Sequence, residues 1–438
     1  MDFGLRQRAQ AASTVLLALT AALAAPRVGR AQEPTGEGIE PAVAAVGAKM
    51  EAGESDADEP ARQFVKWNEY EGPFSTLRFG GGFLYDYAAY NQDDVSEQQV
   101  SLEDGTKLRD FRFLLKGKFL KITERDVTWS TGIMWDAANE RWAIRQTGVM
   151  VELPRLSSSV FIGRTKEGFS LNKVMVGYHG WTHERAPVND AMIPILADGI
   201  KWLGYLPKSG LGWSMGWYGD TYSSDESFST YEHQQVARLS WLPIRSDVAH
   251  TVLHLGVSVR DGEAENGQLR LRARPESFQA PYVVDTGLFD AEGSFTSGLE
   301  AYYRSGPLLL GGEFSLQDVD SESTGDPSFN GGEVFVAWNL TGETRPYKPA
   351  GGYFLAVSPA RPVRQGGPGA IELVLRYSDV DLDAGTLRGG RFRRITPMVN
   401  WHLSDNVRLE LAYGYGKLDR FDLSGTTRFF NMRMQFTL

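Results

Sequence analysis

The chain closes on Phe430-Asn431-Met432-Arg433-Met434-Gln435-Phe436-Thr437-Leu438, a stretch that repeats with period two and not 3.6. On a strand, Phe430, Met432, Met434, Phe436 and Leu438 share one face, and Asn431, Arg433, Gln435 and Thr437 share the other. The segment before it does the same, with Val407, Leu409, Leu411, Tyr413 and Tyr415 against Arg408, Glu410, Ala412, Gly414 and Gly416. Ile371-Leu373-Leu375-Tyr377 and Val334-Val336-Trp338-Leu340, read at every second position, repeat it again. A soluble sandwich needs its apolar faces to meet, and no second class of wholly apolar strands or helices stands in the chain. Segments of about ten alternating residues with aromatics near their ends are the mark of a transmembrane β-barrel.

Counting outward from that stretch predicts sixteen strands: 76–88, 108–120, 127–136, 142–152, 158–165, 199–206, 211–219, 234–243, 251–261, 294–304, 308–319, 331–341, 370–380, 392–403, 407–417 and 428–438. The predicted fold is all-β, a 16-stranded antiparallel transmembrane barrel over 65–438 with inward-folded loops. An even count returns both termini to one side of the membrane. Gln268–Pro275 is a seventeenth candidate. The short turns at 206–210, 243–247, 304–307 and 403–406 all fall on the periplasmic side only if it is left out, which assigns 261–294 to one long extracellular loop. Thr341–Gly369 breaks the length rule, being long yet periplasmic.

The other end of the chain is of different character. Arg6 and Arg8 precede an apolar run from Ala11 to Ala25, and Gly29-Arg30-Ala31 follows. This order predicts a signal peptide over 1–31 cleaved after Ala31, with Ala22-Leu23-Ala24 as a competing site. From 32 to 64 the chain is rich in Glu, Asp, Gly, Ala and Pro, and is expected to be an acidic, unstructured periplasmic tail. There is no cysteine, so no disulfide staples the chain. Mean hydropathy is -0.30, and past the leader no apolar run is long enough for a membrane helix. Formal net charge is -10, and loss of the leader makes it more negative, which argues against nucleic-acid binding.

Gln268-Leu269-Arg270-Leu271-Arg272-Ala273-Arg274-Pro275 sets three arginines at spacing two. Extended, Arg270, Arg272 and Arg274 point the same way about 7 Å apart. They can form a ladder for an anion, because guanidinium pairs two oxygens of a phosphate or carboxylate. They can equally be a solvated edge on lipopolysaccharide phosphates. On the second strand, outward Phe111, Phe113 and Phe119 leave Arg112, Lys116 and Lys118 in the lumen, and on the first Arg78 turns inward. Arg164 and Lys166 stand where the fifth strand enters the third extracellular loop, 166–198. Lumen acids Glu333, Glu372 and Glu410 oppose them, so selectivity depends on which charges reach the constriction. His179 and His183 with Glu184 match no defended metal spacing and read as pore-loop lining; no metal, cofactor or catalytic residue is expected.

With these residues in hand, the chain resembles the phosphate-selective porin O and P family over about Leu77–Leu438. Three stretches carry the resemblance: Gly163-Arg164-Thr165-Lys166-Glu167-Gly168-Phe169-Ser170-Leu171; Arg270–Glu276 with Val284-Asp285-Thr286-Gly287; and Leu340–Lys348 with Gly351-Gly352-Tyr353-Phe354. The resemblance implies a homotrimeric outer-membrane anion channel that draws in phosphate or polyphosphate among outer-membrane lipid and lipopolysaccharide, and not an enzyme. The overall acidity and the terminal Leu438, where such barrels commonly carry an aromatic, depart from the pattern. General diffusion without phosphate preference, a barrel enzyme and an adhesive barrel are the alternative readings.

Overall fold

The computed structural model describes residues 63–120, 126–137, 140–194, 196–219 and 231–438. The expected leader and all but the end of the acidic tail lie outside the described residues.

Sixteen antiparallel strands close on themselves. They are β1 (Thr76–Gln92), β2 (Gly105–Phe119), β3 (Val127–Asp136), β4 (Arg141–Ile144 with Thr147–Leu153), β5 (Ser158–Thr165), β6 (Ala197–Leu206), β7 (Leu211–Gly219) and β8 (Tyr231–Ser246). Then follow β9 (Thr251–Ala264), β10 (Gly293–Ser305), β11 (Leu308–Asp320), β12 (Ser328–Asn339), β13 (Ala370–Ala384), β14 (Leu387–His402), β15 (Val407–Arg420) and β16 (Leu423–Thr437). Each pairs with its neighbour in sequence. β16 returns to β1 in a register running from Thr427↔Gln92 to Thr437↔Gly82, which closes the barrel, and a short hairpin of Gln63–Lys66 with Glu69–Glu71 pairs on the first residues of β1. The sixteen-strand barrel expected from the alternation is the one observed. Gln268–Pro275 is not a barrel strand: it forms only two-residue pairings within its own loop, Gln268–Leu269 with Phe289–Asp290 and Arg272–Ala273 with Val284–Asp285.

The final strand shows why the barrel belongs in lipid. Phe430, Met432 and Met434 are 40–45% exposed, whereas Asn431, Arg433 and Gln435 are buried. This inverts the soluble arrangement, and hydrocarbon is the medium that accepts such an outer face. Aromatic neighbours reinforce it, with Phe83 stacked on Phe436 at 5.7 Å and Phe111 against Phe113 at 4.9 Å.

The wall is uneven in height. β5, β6 and β7 have 8 to 10 residues, while β8 has 16 and β14 has 16. At β13–β14 and β15–β16 the extracellular connections are correspondingly short, two residues each. Phe421 and Asp422 join β15 to β16, both with left-handed φ (53° and 62°), the conformation a two-residue hairpin turn requires. The rule that short turns are periplasmic therefore fails at this corner, because long strands carry the wall outward and leave little for a loop to span.

Chain that does not build wall fills the lumen. The third extracellular loop, Lys166–Leu196, contains two short helices, α1 (Leu171–Val174) and α2 (Pro187–Met192). One buried apolar cluster packs Phe169 and Val188 against Leu269, Leu271, Val283 and Val284 of the loop that follows β9. A second packs Leu171, Met175 and Trp181 against Tyr302, Phe335 and Phe354, where Phe354 arrives from the long periplasmic connection. Three segments thus enter the barrel, two from outside and one from below.

Candidate functional site: a basic lane along one wall

The third loop is tied across the lumen at both ends. Near its start, Leu171 N–H donates to Glu300 Oε2 at 2.5 Å and Asn172 N–H to Glu313 Oε1 at 2.8 Å. The Ser170 hydroxyl also reaches Glu313, and the Asn172 side-chain amide reaches Glu333. Ser170 has φ 61°, a left-handed conformation held by these bonds and by its capping of Lys173 N–H at 3.1 Å. At the tip, Glu184 accepts from Arg109 Nε at 2.8 Å and from Arg433 Nη2 at 2.5 Å. Arg408 donates to Gly180 O at 2.6 Å, and Asn400 to Trp181 O at 2.8 Å.

From below, the periplasmic connection supports it. Arg345 Nη2 donates to both carboxylate oxygens of Glu372, at 2.7 and 2.8 Å, and Nη1 donates to His179 O at 2.7 Å. This is the connection that broke the length rule, and its length serves to reach the third loop. The loop after β9 is locked by Glu276, whose carboxylate meets Arg376 at 2.5 Å and Thr396 at 3.2 Å.

These ties sort the lumen charges. Glu333 lies 3.3 Å from Arg376, Glu372 pairs with Arg345, and Glu410 lies 2.5 Å from Arg408, so these three acids are each ion-paired and buried. The opposite side differs. Among the described residues Arg145, Lys166, Arg185 and Lys201 form no ion pair. Lys166 Nζ donates to Met175 O at 2.5 Å and Lys173 O at 3.0 Å; Arg185 donates to Asn172 O at 2.9 Å; Lys201 donates to Lys166 O at 2.9 Å. Burial, reinforced by the nearby charges of Arg185, Arg145, Arg112 and Lys173, holds the Lys166 ammonium well below the usual lysine range.

The expected site residues divide accordingly. Arg112 stands near Lys166 with its guanidinium 4.2 Å over the Tyr178 ring, and also pairs with Asp110 on its own strand. Lys116 lies directly across from Arg78 in the β1–β2 register, within electrostatic reach of Lys348. Arg78 is 3.3 Å from Glu69, and Lys118 is 2.5 Å from Asp126, both at the periplasmic end. Arg164 is not in the open lane: it forks onto Asp198 at 2.7 and 3.0 Å and clasps the foot of the third loop. Arg270, Arg272 and Arg274 do project together, because Leu269, Leu271 and Ala273 between them are buried. His183 Nδ1 faces Glu410 at 3.1 Å, and no group of three metal-ligating side chains is found among the described residues.

Four cations of the lane were not singled out from sequence. Arg109 shares the parity of outward Phe111 and Phe113. The register jumps, however, from Leu84↔Asp110 to Tyr85↔Leu108, leaving Arg109 as the extra residue of a bulge that turns it inward. Arg145 lies in the break of β4, and Arg185 lies in the third loop. Lys201 was legible, since Ile200 and Trp202 on either side face out.

A closed sixteen-stranded barrel with an apolar belt and loops folded into its lumen defines an outer-membrane porin. The chain belongs to the family of phosphate-selective porins O and P, whose model matches residues 77–438. An uncharacterised protein of Caulobacter vibrioides is 30% identical over 171 residues, 38% of this chain and 34% of the relative. Porin O of Pseudomonas aeruginosa is 28% identical over 134 residues, 28% of this chain and 30% of the relative. The chain spans about a third of the length of these curated relatives. Among solved structures, the anion-selective porin from Comamonas acidovorans superimposes with a TM-score of 0.51 at 13% identity, over 83% of this chain and 100% of that one. The outer membrane channel DcaP of Acinetobacter baumannii gives 0.53 at 11% identity, over 83% and 98%. At such identity these likenesses establish the fold alone.

Proposed function

We propose that this porin conducts small anions, with phosphate or polyphosphate as the solute class, and that it acts as a channel and not as an enzyme. The observation that carries the reading is the unequal pairing of lumen charge. Glu333, Glu372 and Glu410 of the tall wall are ion-paired, whereas Arg145, Lys166, Arg185 and Lys201 have no carboxylate within ion-pair distance among the described residues. Arg272 and Arg274 lie on the loop toward the outer mouth, and Lys116 with Arg78 toward the exit. A continuous excess of positive charge lowers the barrier for an anion and raises it for a cation. The acidic composition is compatible with this, since selectivity follows the charges that the solute meets. Export through the 1–31 leader and assembly as a homotrimer belong to the same proposal; a trimer form is described for the OmpT neighbour of Vibrio cholerae.

Reversal potential of the purified protein in planar bilayers under a KCl gradient tests it. The expected result is chloride selectivity with phosphate block, weakened roughly 3- to 10-fold by Arg145→Ala. A cation-selective or unselective pore indifferent to phosphate would leave a general diffusion porin, and absence of conductance would favour the adhesive or enzymatic reading.

A further inference from the structure

The loop after β9 holds its arginines by an aromatic device that the charge pattern does not explain. Arg270 is taken up by Asp285, Nε to Oδ1 at 2.8 Å and Nη2 to Oδ2 at 2.5 Å. The Arg272 side chain makes no hydrogen bond to a described residue, and Arg274 donates only from Nη1, to Ala280 O at 3.3 Å. What both share is Tyr282: their guanidinium carbons lie over its ring, 4.1 and 4.3 Å from the centroid. Arg274 is also 5.0 Å from the Phe278 ring. That same ring carries Arg109 of β2 at 4.0 Å and Lys107 at 5.4 Å. Two aromatic rings therefore join the loop arginines to the wall arginine that Glu184 fixes at the tip of the third loop.

A guanidinium stacks through its face and donates hydrogen bonds in its plane. Where such a face lies against a ring, what remains for a solute is the N–H edge. A phosphate or carboxylate takes two parallel N–H groups from that edge, whereas a spherical halide accepts from any direction and gains nothing from the fork. We propose that Tyr282 and Phe278 are specificity-determining residues of this pore. They present Arg272 and Arg274 edge-on to the solute and so favour oxyanions over halide. The inference rests on the anion-conducting reading and adds the discrimination among anions.

The test is inorganic phosphate block of chloride current through the full-length protein in planar bilayers, compared across Tyr282→Ala, Tyr282→Leu, Tyr282→Phe, Phe278→Ala and Arg272→Ala. Folding is checked for each by heat-modifiable gel mobility, and Tyr282→Leu retains bulk if the alanine variant does not fold. Loss of either ring is expected to weaken phosphate block, relative to chloride conductance, by about two- to fivefold. Tyr282→Phe restores it. Block at the unaltered level in Tyr282→Ala, Tyr282→Leu and Phe278→Ala, with loss of block in Arg272→Ala, would reduce the rings to packing and overturn the inference. Chloride selectivity without phosphate block in the unaltered protein would overturn the inference alone, and absence of both would remove the anion reading itself.

Discussion

Glu313 of β11 lies directly across from Glu300 of β10, two carboxylates side by side on the lumen face, and Glu333 of β12 continues the row in register. Like charges placed this way repel. The outer two have cations, Arg238 on Glu300 and Arg376 on Glu333, and the His254 ring also lies 2.9 Å from Glu300. Glu313 has none among the described residues and is held by Ser170, Asn172 N–H and Tyr302 OH. The row is thus an anchor whose middle member is compensated only by donors from the loop it anchors and from Tyr302.

Glu313→Gln keeps an acceptor and removes a like charge. Its thermal unfolding midpoint, read by heat-modifiable gel mobility, should match or exceed that of the unaltered protein. Glu313→Ala leaves Asn172 N–H and Tyr302 OH without a partner and should cost about 2–4 kcal/mol, with noisier single-channel currents as the loop loosens. Equal stability of the two variants would contradict the anchor role.

The Arg345–Glu372 pair is buried on both sides, each side chain 1% exposed. Removing one partner leaves an uncompensated buried charge, a loss of about 3–5 kcal/mol. Arg345→Ala should therefore lower the melting midpoint more than Arg345→Ala with Glu372→Gln. A double variant no more stable than the single one would argue that the connection is held by other contacts.

Burial lowers the Lys173 ammonium to about 7, against the nearby charge of Asp190, which raises it, and of Arg185, which lowers it. Glu167 and Arg260 also face it. The unfolded chain keeps this proton up to its ordinary value of 10.5, so it binds more protons than the folded state between about 7 and 10.5. Barrel stability should rise with pH across that window. Conversely, acidification through 7 adds a positive charge to the loop. Chloride preference, measured by reversal potential, should increase from pH 8 to pH 6, and Lys173→Met should flatten the change.

Leu411 is 44% exposed on the outer face of β15, while Glu410 beside it is fully buried in the lumen. Leu411→Arg places a charge against hydrocarbon and should cost roughly 2–4 kcal/mol near mid-membrane. Refolding yield into lipid vesicles measures it. Insertion as efficient as that of the unaltered protein would mean that this face meets something other than lipid.

The period-two pattern that runs from Leu77 to Leu438 was enough to specify the barrel. Along an unbroken strand, whether a side chain faces lipid or lumen follows its parity, and parity is written in nearest neighbours. Phe430 to Leu438 therefore reads correctly in isolation, and so does the inward placement of Arg112. The arginine spacing at 270–274 was equally legible, since alternation with Leu269, Leu271 and Ala273 is local.

What only the tertiary structure decided was which charges remain open. Trp181 is bonded by Asn400, 219 residues away, and Gly180 by Arg408, 228 residues away. No local pattern encodes such partners. Arg164 reads from sequence as a pore cation and is in fact closed off by Asp198. Arg109 reads as outward and is turned inward by one unpaired residue. Lumen charge depends on pairing across the barrel, a long-range property, whereas facing depends on alternation, a short-range one; the sequence alone determines the second wherever the strand register is unbroken, and the folded barrel decides the first.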